Sequence, residues 1–260
     1  MTVRRVVSLC PSITETIAEI GARGLLVAAT RYCTRPRGAL RGLPRVGGTK
    51  DPDVAAILAL RPDLVFANEE ENRLADVQAL RDAGVEVSVT FPRTVAAVPG
   101  DIRQWGRDLG GEFAARSEAL AARVAAELDS LEAAAPSRTF RYAYWIWKDP
   151  WMTVSDDTYV ADLLRLAGGV NVYGAESARY PTDSPEQSLA RGPEVHFFPD
   201  EPFPFRPARH EEEMARLFPG VRRLFVSGDD LCWHGFRTLA GLEAIRRLRA
   251  GTIAADDGSR

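Results

Sequence analysis

The chain has 260 residues, 45% apolar and 27% charged, with a formal net charge of −3. That balance is ordinary for a globular protein and argues against a nucleic-acid partner. No apolar run reaches the roughly 18 residues needed to span a bilayer. The stretch before Pro11 is too short for a secretory signal core, so the chain reads as cytoplasmic or trimmed of its export signal.

Residues 3–9 read as a first core strand. Ser12 and Glu15, three apart, form a capping-box pattern at the start of a helix that runs through Ile17 and Ile20 and stops at Gly21. Residues 25–29 are the next strand, ending in Thr30-Arg31-Tyr32-Cys33. Gly47-Gly48 then make a turn, and Pro52 and Asp53 open a helix with Val54, Ile57, Leu58 and Leu60 on its apolar face. Residues 63–67 are a short apolar run of the kind buried in a parallel sheet. It ends in Asn68-Glu69-Glu70-Glu71-Asn72. A helix over 73–83 stops at Gly84, and residues 85–90 are a strand stopped by Pro92. Alternation of strand and helix predicts a parallel, doubly wound lobe.

Residues 101–109 look helical, and Gly110-Gly111 interrupt. Residues 112–135 form one long helix rich in Ala, Leu and Glu, with a narrow stripe of Leu120, Val124, Leu128 and Leu131. It packs either on one sheet or as a rod joining two lobes. The resumption of alternating structure after Pro136 favours the rod. Residues 140–146 are a strand, 160–166 a helix ending at Gly168-Gly169, 186–190 a short helix and 195–198 a strand. Residues 211–216 are helical, 222–226 a strand and 235–249 a final helix, followed by a polar tail from 251. The expected organisation is an α/β lobe over 1–110, a connecting helix over 111–136 and a second α/β lobe over 137–260.

Ligands of open α/β sheets bind outside the carboxyl ends of strands, which singles out several clusters. In the second lobe, Tyr142, Tyr144, Trp145, Trp147, Trp151 and Met152 crowd into eleven residues. Period-two alternation puts Tyr142 and Tyr144 on one face and Trp145 on the other. Trp147 and Trp151 follow the strand, either as a ligand platform or packed beneath a linker. Residues 179–181 (Arg-Tyr-Pro), 199–205 (through Glu201 and Phe203) and Trp233-His234-Gly235-x-Arg237 fall in similar places. In the first lobe, Thr14 lies at a helix N-terminus whose amides suit an anion, and Tyr32 ends its strand. Lys50 stands in Gly-Gly-Thr-Lys, which lacks the order of a phosphate loop. Lys50 reads as a ligand contact or a solvated turn residue. Glu69, Glu70 and Glu71 read as cation ligands, as a docking surface, or as a solvated helix start favoured by the dipole.

The segments containing GGTK-x-PD, PDLV, EEN and YWIWKDPWMTVSDDTY, together with the loops just described, resemble the substrate-binding proteins of metal-chelate and cobalamin ABC importers, the helical backbone receptors. The resemblance runs almost to the C-terminus. It implies two doubly wound lobes joined by a single long helix, with a ligand cleft between them and no catalysis. The implied ligand is a corrinoid or ferric siderophore rather than an intrinsic cofactor. Implied ligand contacts are Thr14, Tyr32, Lys50, Glu69, Trp147, Trp151, Tyr180, Phe203, Trp233 and Arg237. Glu70, Glu71 and Glu201 are the implied docking acids for an ABC permease, and the receptor is expected to act as a monomer outside the cytoplasm. This sits against the N-terminal reading, which keeps open an intracellular chelate carrier or sensor. Cys10, Cys33 and Cys232 each follow an expected strand, with His234 nearby. They are either buried thiols or a soft-metal site. No nucleophile elbow, dinucleotide fingerprint or metalloprotease motif marks an enzyme.

Overall fold

The computed structural model describes residues 3–251; past residue 251 the expected polar tail lies outside the described residues. The chain divides into two compact units. The first holds Met1–Pro92, Ala96–Ala126 and His234–Arg237, and the second Arg93–Val95, Glu127–Trp233 and Thr238–Arg260.

The first unit is built on β1 (Val6–Ser8), α1 (Pro11–Glu19), β2 (Leu26–Ala29), α2 (Val54–Ala59), β3 (Leu64–Asn68), α3 (Leu74–Asp82), β4 (Glu86–Thr90), α4 (Val98–Leu109) and the first part of α5 (Glu112–Ala133). Its four strands are all parallel, in the order β2-β1-β3-β4. Val7, Leu9, Val65, Ala67 and Val87 bury one face of this sheet with Ile57 from α2 and Val77 and Leu80 from α3. β1 runs to β2 on one side, while β3 and β4 lie on the other. The topological switch point is therefore between the carboxyl ends of β1 and β3.

The second unit contains β5 (Phe140–Trp147), β6 (Met152–Thr153), α6 (Tyr159–Leu166), β7 (Gly169–Asn171), α7 (Pro185–Ala190), β8 (Val195–Pro199), α8 (Pro207–Leu217), β9 (Arg222–Val226), α9 (Gly228–Cys232) and α10 (Thr238–Arg249). β7, β5, β8 and β9 pair in parallel, and β6 joins the far end of β5 antiparallel. β7 and β6 share one side of β5 at opposite ends, and β8 takes the other, so the switch point here lies between β5 and β8. Ala143 and Trp145 pack into a core with Phe198, Phe205, Phe218 and Phe225. Tyr142 and Tyr144 point the other way, against Phe197.

Most expected elements are present with ends shifted by a few residues. β6, β7 and α9 were not anticipated: β6 and β7 are short pairings at the two ends of β5, and α9 is little more than one turn. Two local expectations are corrected. Asp53 is not inside the first turn of α2 but caps it, accepting from the Ala56 amide at 2.9 Å, so Pro52 precedes the helix. The Ser12–Glu15 capping box does not form, because Cys10 is the cap residue of α1 and Ser12 lies within the helix. The buried stripe of α5 comprises Ala121, Val124, Leu128 and Leu131, with Leu120 only part-buried. The boundary between the units falls inside this helix, after Ala126.

Candidate functional site

Unit 2 presents aromatic surface at its switch point. Trp147 ends β5 and is 41% exposed. Phe203, in the loop after β8, meets it edge to face with ring centres 5.5 Å apart. That loop is held in place from three sides. Phe203 N donates to the Ile146 carbonyl at 3.2 Å, Asp200 N to Val226 at 3.1 Å, and Asp200 Oδ1 accepts from Gly228 N at 2.7 Å. Trp233, at the end of α9, is only 8% exposed, and its indole N–H donates to Glu201 Oε1 at 3.4 Å. Glu201 thus orients Trp233. Tyr180 is half-buried on a segment that runs beside β6, where Thr153 N donates to the Pro181 carbonyl and Ser155 N to Arg179.

Trp151 is part-buried and packed against the core of unit 2. Its ring packs on Trp145 at 5.2 Å, Phe218 at 5.6 Å and Phe205 at 6.1 Å. Pro150 turns the chain, yet it returns the indole inward.

In unit 1 the switch point is already occupied. The chain comes back to this unit for four residues, His234–Arg237. The His234 imidazole is buried, with Nε2 3.3 Å from Ser12 Oγ and 3.3 Å from Asn68 Nδ2. Trp105 of α4 lies 5.8 Å from its ring centre. Burial pushes the His234 imidazole down to about 4, so it is neutral at physiological pH. Phe236 N donates to Thr16 Oγ1 at 3.0 Å. Gly235, at φ +78°, comes so close that a Cβ there would stand 2.3 Å from Thr16 Oγ1. Arg237 Nε donates to Glu15 Oε2 at 2.9 Å and Nη2 to Glu15 Oε1. The Arg237 guanidinium, engaged by a buried carboxylate, anchors the segment on α1.

Thr14 is also held within unit 1. It is fully buried, and Oγ1 lies 2.8 Å from Ser8 Oγ, 2.9 Å from the Cys10 carbonyl and 3.0 Å from Cys33 Sγ. Tyr32 is 51% exposed, with the Arg31 guanidinium 5.0 Å from its ring centre. Tyr32 and Asp51 raise the Arg31 guanidinium above its usual value. Lys50 Nζ donates to the Glu70 carbonyl. Glu69 is exposed and Glu70 half-buried. Glu71 is part-buried: desolvation raises its carboxyl, Lys50 and Thr49 oppose that shift, and its charge bears on buried Cys10.

Among the described residues, no group of three or more His, Cys, Asp and Glu is arranged to hold a metal ion. Cys10 and Cys33 are buried in unit 1, and burial drives the Cys10 thiol up to about 12. Cys232 instead lies in unit 2, with Sγ 3.3 Å from the Tyr144 hydroxyl. A cavity of about 190 Å³ at the amino ends of β5, β8 and β9 is lined by Arg138, Arg222 and Arg249. Arg249 there donates to the Leu131, Ala134 and Leu166 carbonyls, which end α5 and α6. These contacts answer helix C-termini.

Sequence reasoning missed His234, Asn68 and Glu15 as organisers of unit 1. The available signal was a histidine followed at once by glycine, just ahead of a helix.

A model of the periplasmic binding protein family matches residues 6–212. A vitamin B12-binding protein of Vibrio parahaemolyticus is 29% identical over 196 residues, covering 75% of this chain and 70% of that protein. The crystal structure of the periplasmic vitamin B12 binding protein BtuF of Vibrio cholerae superposes with a TM-score of 0.82 at 24% identity, over 96% of this chain and 98% of that one. The periplasmic heme-binding protein RhuT from Roseiflexus gives 0.79 at 24% identity, over 96% and 99%.

Proposed function

This chain belongs to the periplasmic binding protein family, whose members bind rather than transform their ligands, and on that premise we propose that it is the substrate-binding component of an ABC importer for a corrinoid. The observation that carries the reading is the Trp147–Phe203 pair, aromatic surface left half open at the switch point of unit 2. Corrinoids present broad apolar edges with polar side arms. Aromatic contact with a few orienting polar groups suits such a body. Curated relatives named for vitamin B12 support the same class. In unit 2 the candidate contacts are Trp147, Phe203 and Tyr180, with a small face of Trp233 oriented by Glu201; in unit 1 they are Tyr32 and Lys50. Glu69 and Glu70 remain at the surface for the permease or for a polar arm of the ligand. α5 is the connecting element, and the protein works on the outer side of the membrane as a monomer.

A second reading is favoured by one observation. Tyr32 is exposed beside the Arg31 guanidinium, and a tyrosine can hold haem iron. Titration with cobalamin, cobinamide, ferric siderophores and ferric haem, followed by absorbance and thermal shift, separates the readings. Saturable stabilisation by corrinoids alone supports the first, since a ligand of the folded state must stabilise it. Binding of ferric haem with a spectrum altered in Y32F supports the second. Failure of every chelate to bind overturns both.

A further inference from the structure

The acidic loop after β3 is shaped by two asparagines. Asn68 N donates to Asn72 Oδ1 at 2.8 Å, and Asn72 Nδ2 donates to the Thr49 carbonyl at 2.9 Å and to Leu9 at 3.3 Å. Asn68 Oδ1 accepts from the amides of Glu70 at 3.0 Å and Glu71 at 3.2 Å. That double acceptance fixes which end of the Asn68 amide is oxygen. Nδ2 is then the donor. One of its hydrogens goes to the Thr90 carbonyl at 3.0 Å, and the other meets His234 Nε2 at 3.3 Å. Nε2 must offer a lone pair, so the neutral imidazole carries its proton on Nδ1.

We infer that His234 is a positioning residue for the acidic loop, acting as an acceptor through Nε2 on Asn68, and that protonation of His234 releases the loop. A proton added at Nε2 would set an N–H against the Asn68 NH2, leaving Ser12 Oγ, 3.3 Å away, as its acceptor. Two donors then face each other in a buried site, and flipping Asn68 to supply an oxygen breaks both bonds to Glu70 and Glu71. Titratable and charged groups on the elements packed around the ring are Cys10 and Glu15 at α1, Glu69, Glu70 and Glu71 after β3, Asp101 on α4, and Arg237 on its own segment. Glu15 is already paired with Arg237. Burial alone accounts for the lowered His234 value of about 4, which puts the release in acid, below the range where ordinary histidines titrate. The inference does not depend on which ligand the protein binds.

The test is nitrogen NMR of the histidine rings with amide-exchange protection of Glu70 and Glu71 as pH falls. In the unmodified protein Nε2 is expected unprotonated at neutral pH, and protection of both amides falls at least tenfold as His234 titrates. H234Q, which keeps an acceptor, retains the protection into acid. H234L, apolar and of similar size, loses at least tenfold at neutral pH. An Nε2–H tautomer overturns the inference, as does unchanged protection in H234L or loss in H234Q at the wild-type pH. If H234L fails to fold, the tautomer and the acid profile of the unmodified protein decide the matter.

Discussion

Arg237 and Glu15, 222 positions apart in sequence, close a two-pronged ion pair in which the Glu15 side chain is only 3% exposed. The pair fixes His234–Arg237 onto α1, and it cannot be broken from one side without leaving a buried charge. R237M is expected to cost about 3–5 kcal/mol in urea unfolding, the usual penalty for removing one partner of a buried pair. The double variant E15Q/R237M removes both charges and is expected to recover much of that loss. Equal stability of the single and double variants would show that the carboxylate is not stranded by the single change.

Gly235 is constrained twice, by its left-handed backbone and by Thr16 Oγ1 standing where a Cβ would go. G235A is expected to lower stability by about 2 kcal/mol or more. Gly100 offers a control. It lies within α4 with ordinary φ and nothing within 4 Å of an added Cβ. G100A should raise stability by roughly 0.5–1 kcal/mol, since alanine loses less chain entropy in a helix. Thermal unfolding of both variants checks the contrast.

Stability should fall on acidification below about pH 6.5. His196 and His234 are each pushed down to about 4 by burial, His196 with help from the Arg223 charge. Between about 4 and the ordinary value near 6.5 the unfolded chain binds more protons than the folded one, so stability rises with pH there and is flat above it. Below both values the loss is complete, up to roughly 3 kcal/mol per histidine. A urea midpoint unchanged from pH 7 to pH 4.5 would contradict this.

Asp101 has the opposite sign. Desolvation raises its carboxyl to about 6, and Oδ2 is buried with no hydrogen-bond partner. The folded state binds the extra proton, so Asp101 destabilises above about pH 6, and the penalty fades as pH falls toward the ordinary carboxylate value. Its position in the first turn of α4 offsets part of this through the helix dipole. D101N is expected to gain about 1 kcal/mol at pH 7.5 and nothing at pH 4.

The two tryptophans after the Tyr-rich strand should behave differently on truncation. W147A removes a half-open ring and should weaken corrinoid binding tenfold or more with little change in melting temperature. W151A removes a part-buried ring packed on Trp145, Phe205 and Phe218 and should cost about 3 kcal/mol. Calorimetric titration beside thermal unfolding separates the two.

Much of the fold was legible because its signals are local. Apolar runs such as Leu64-Val65-Phe66 and stops such as Gly21 and Gly84 mark elements without knowledge of their neighbours. Exposure was legible where it follows from chain position, as at Trp147 and Tyr32. The partners of Thr14, Glu15 and Arg237 were not legible, because tertiary contact sets them. Ser12 and Glu15 satisfy a capping pattern by spacing alone, yet each turns toward the returning segment. Trp147 and Trp151 look alike in sequence, and only the packing of Phe205 and Phe218 tells the exposed ring from the part-buried one.

The first unit is discontinuous along the chain, and that has a consequence for synthesis. The ribosome makes β1, α1 and β3 early, but His234–Arg237 emerges only when nine-tenths of the polypeptide exists. Until then Glu15 has no counter-charge and Asn68 no imidazole to receive its amide. The nascent unit must wait, partly assembled, for a contact of very long sequence separation, the kind that slows folding and prolongs exposure of apolar surface. Truncation anywhere before residue 234 therefore damages the beginning of the protein as well as its end.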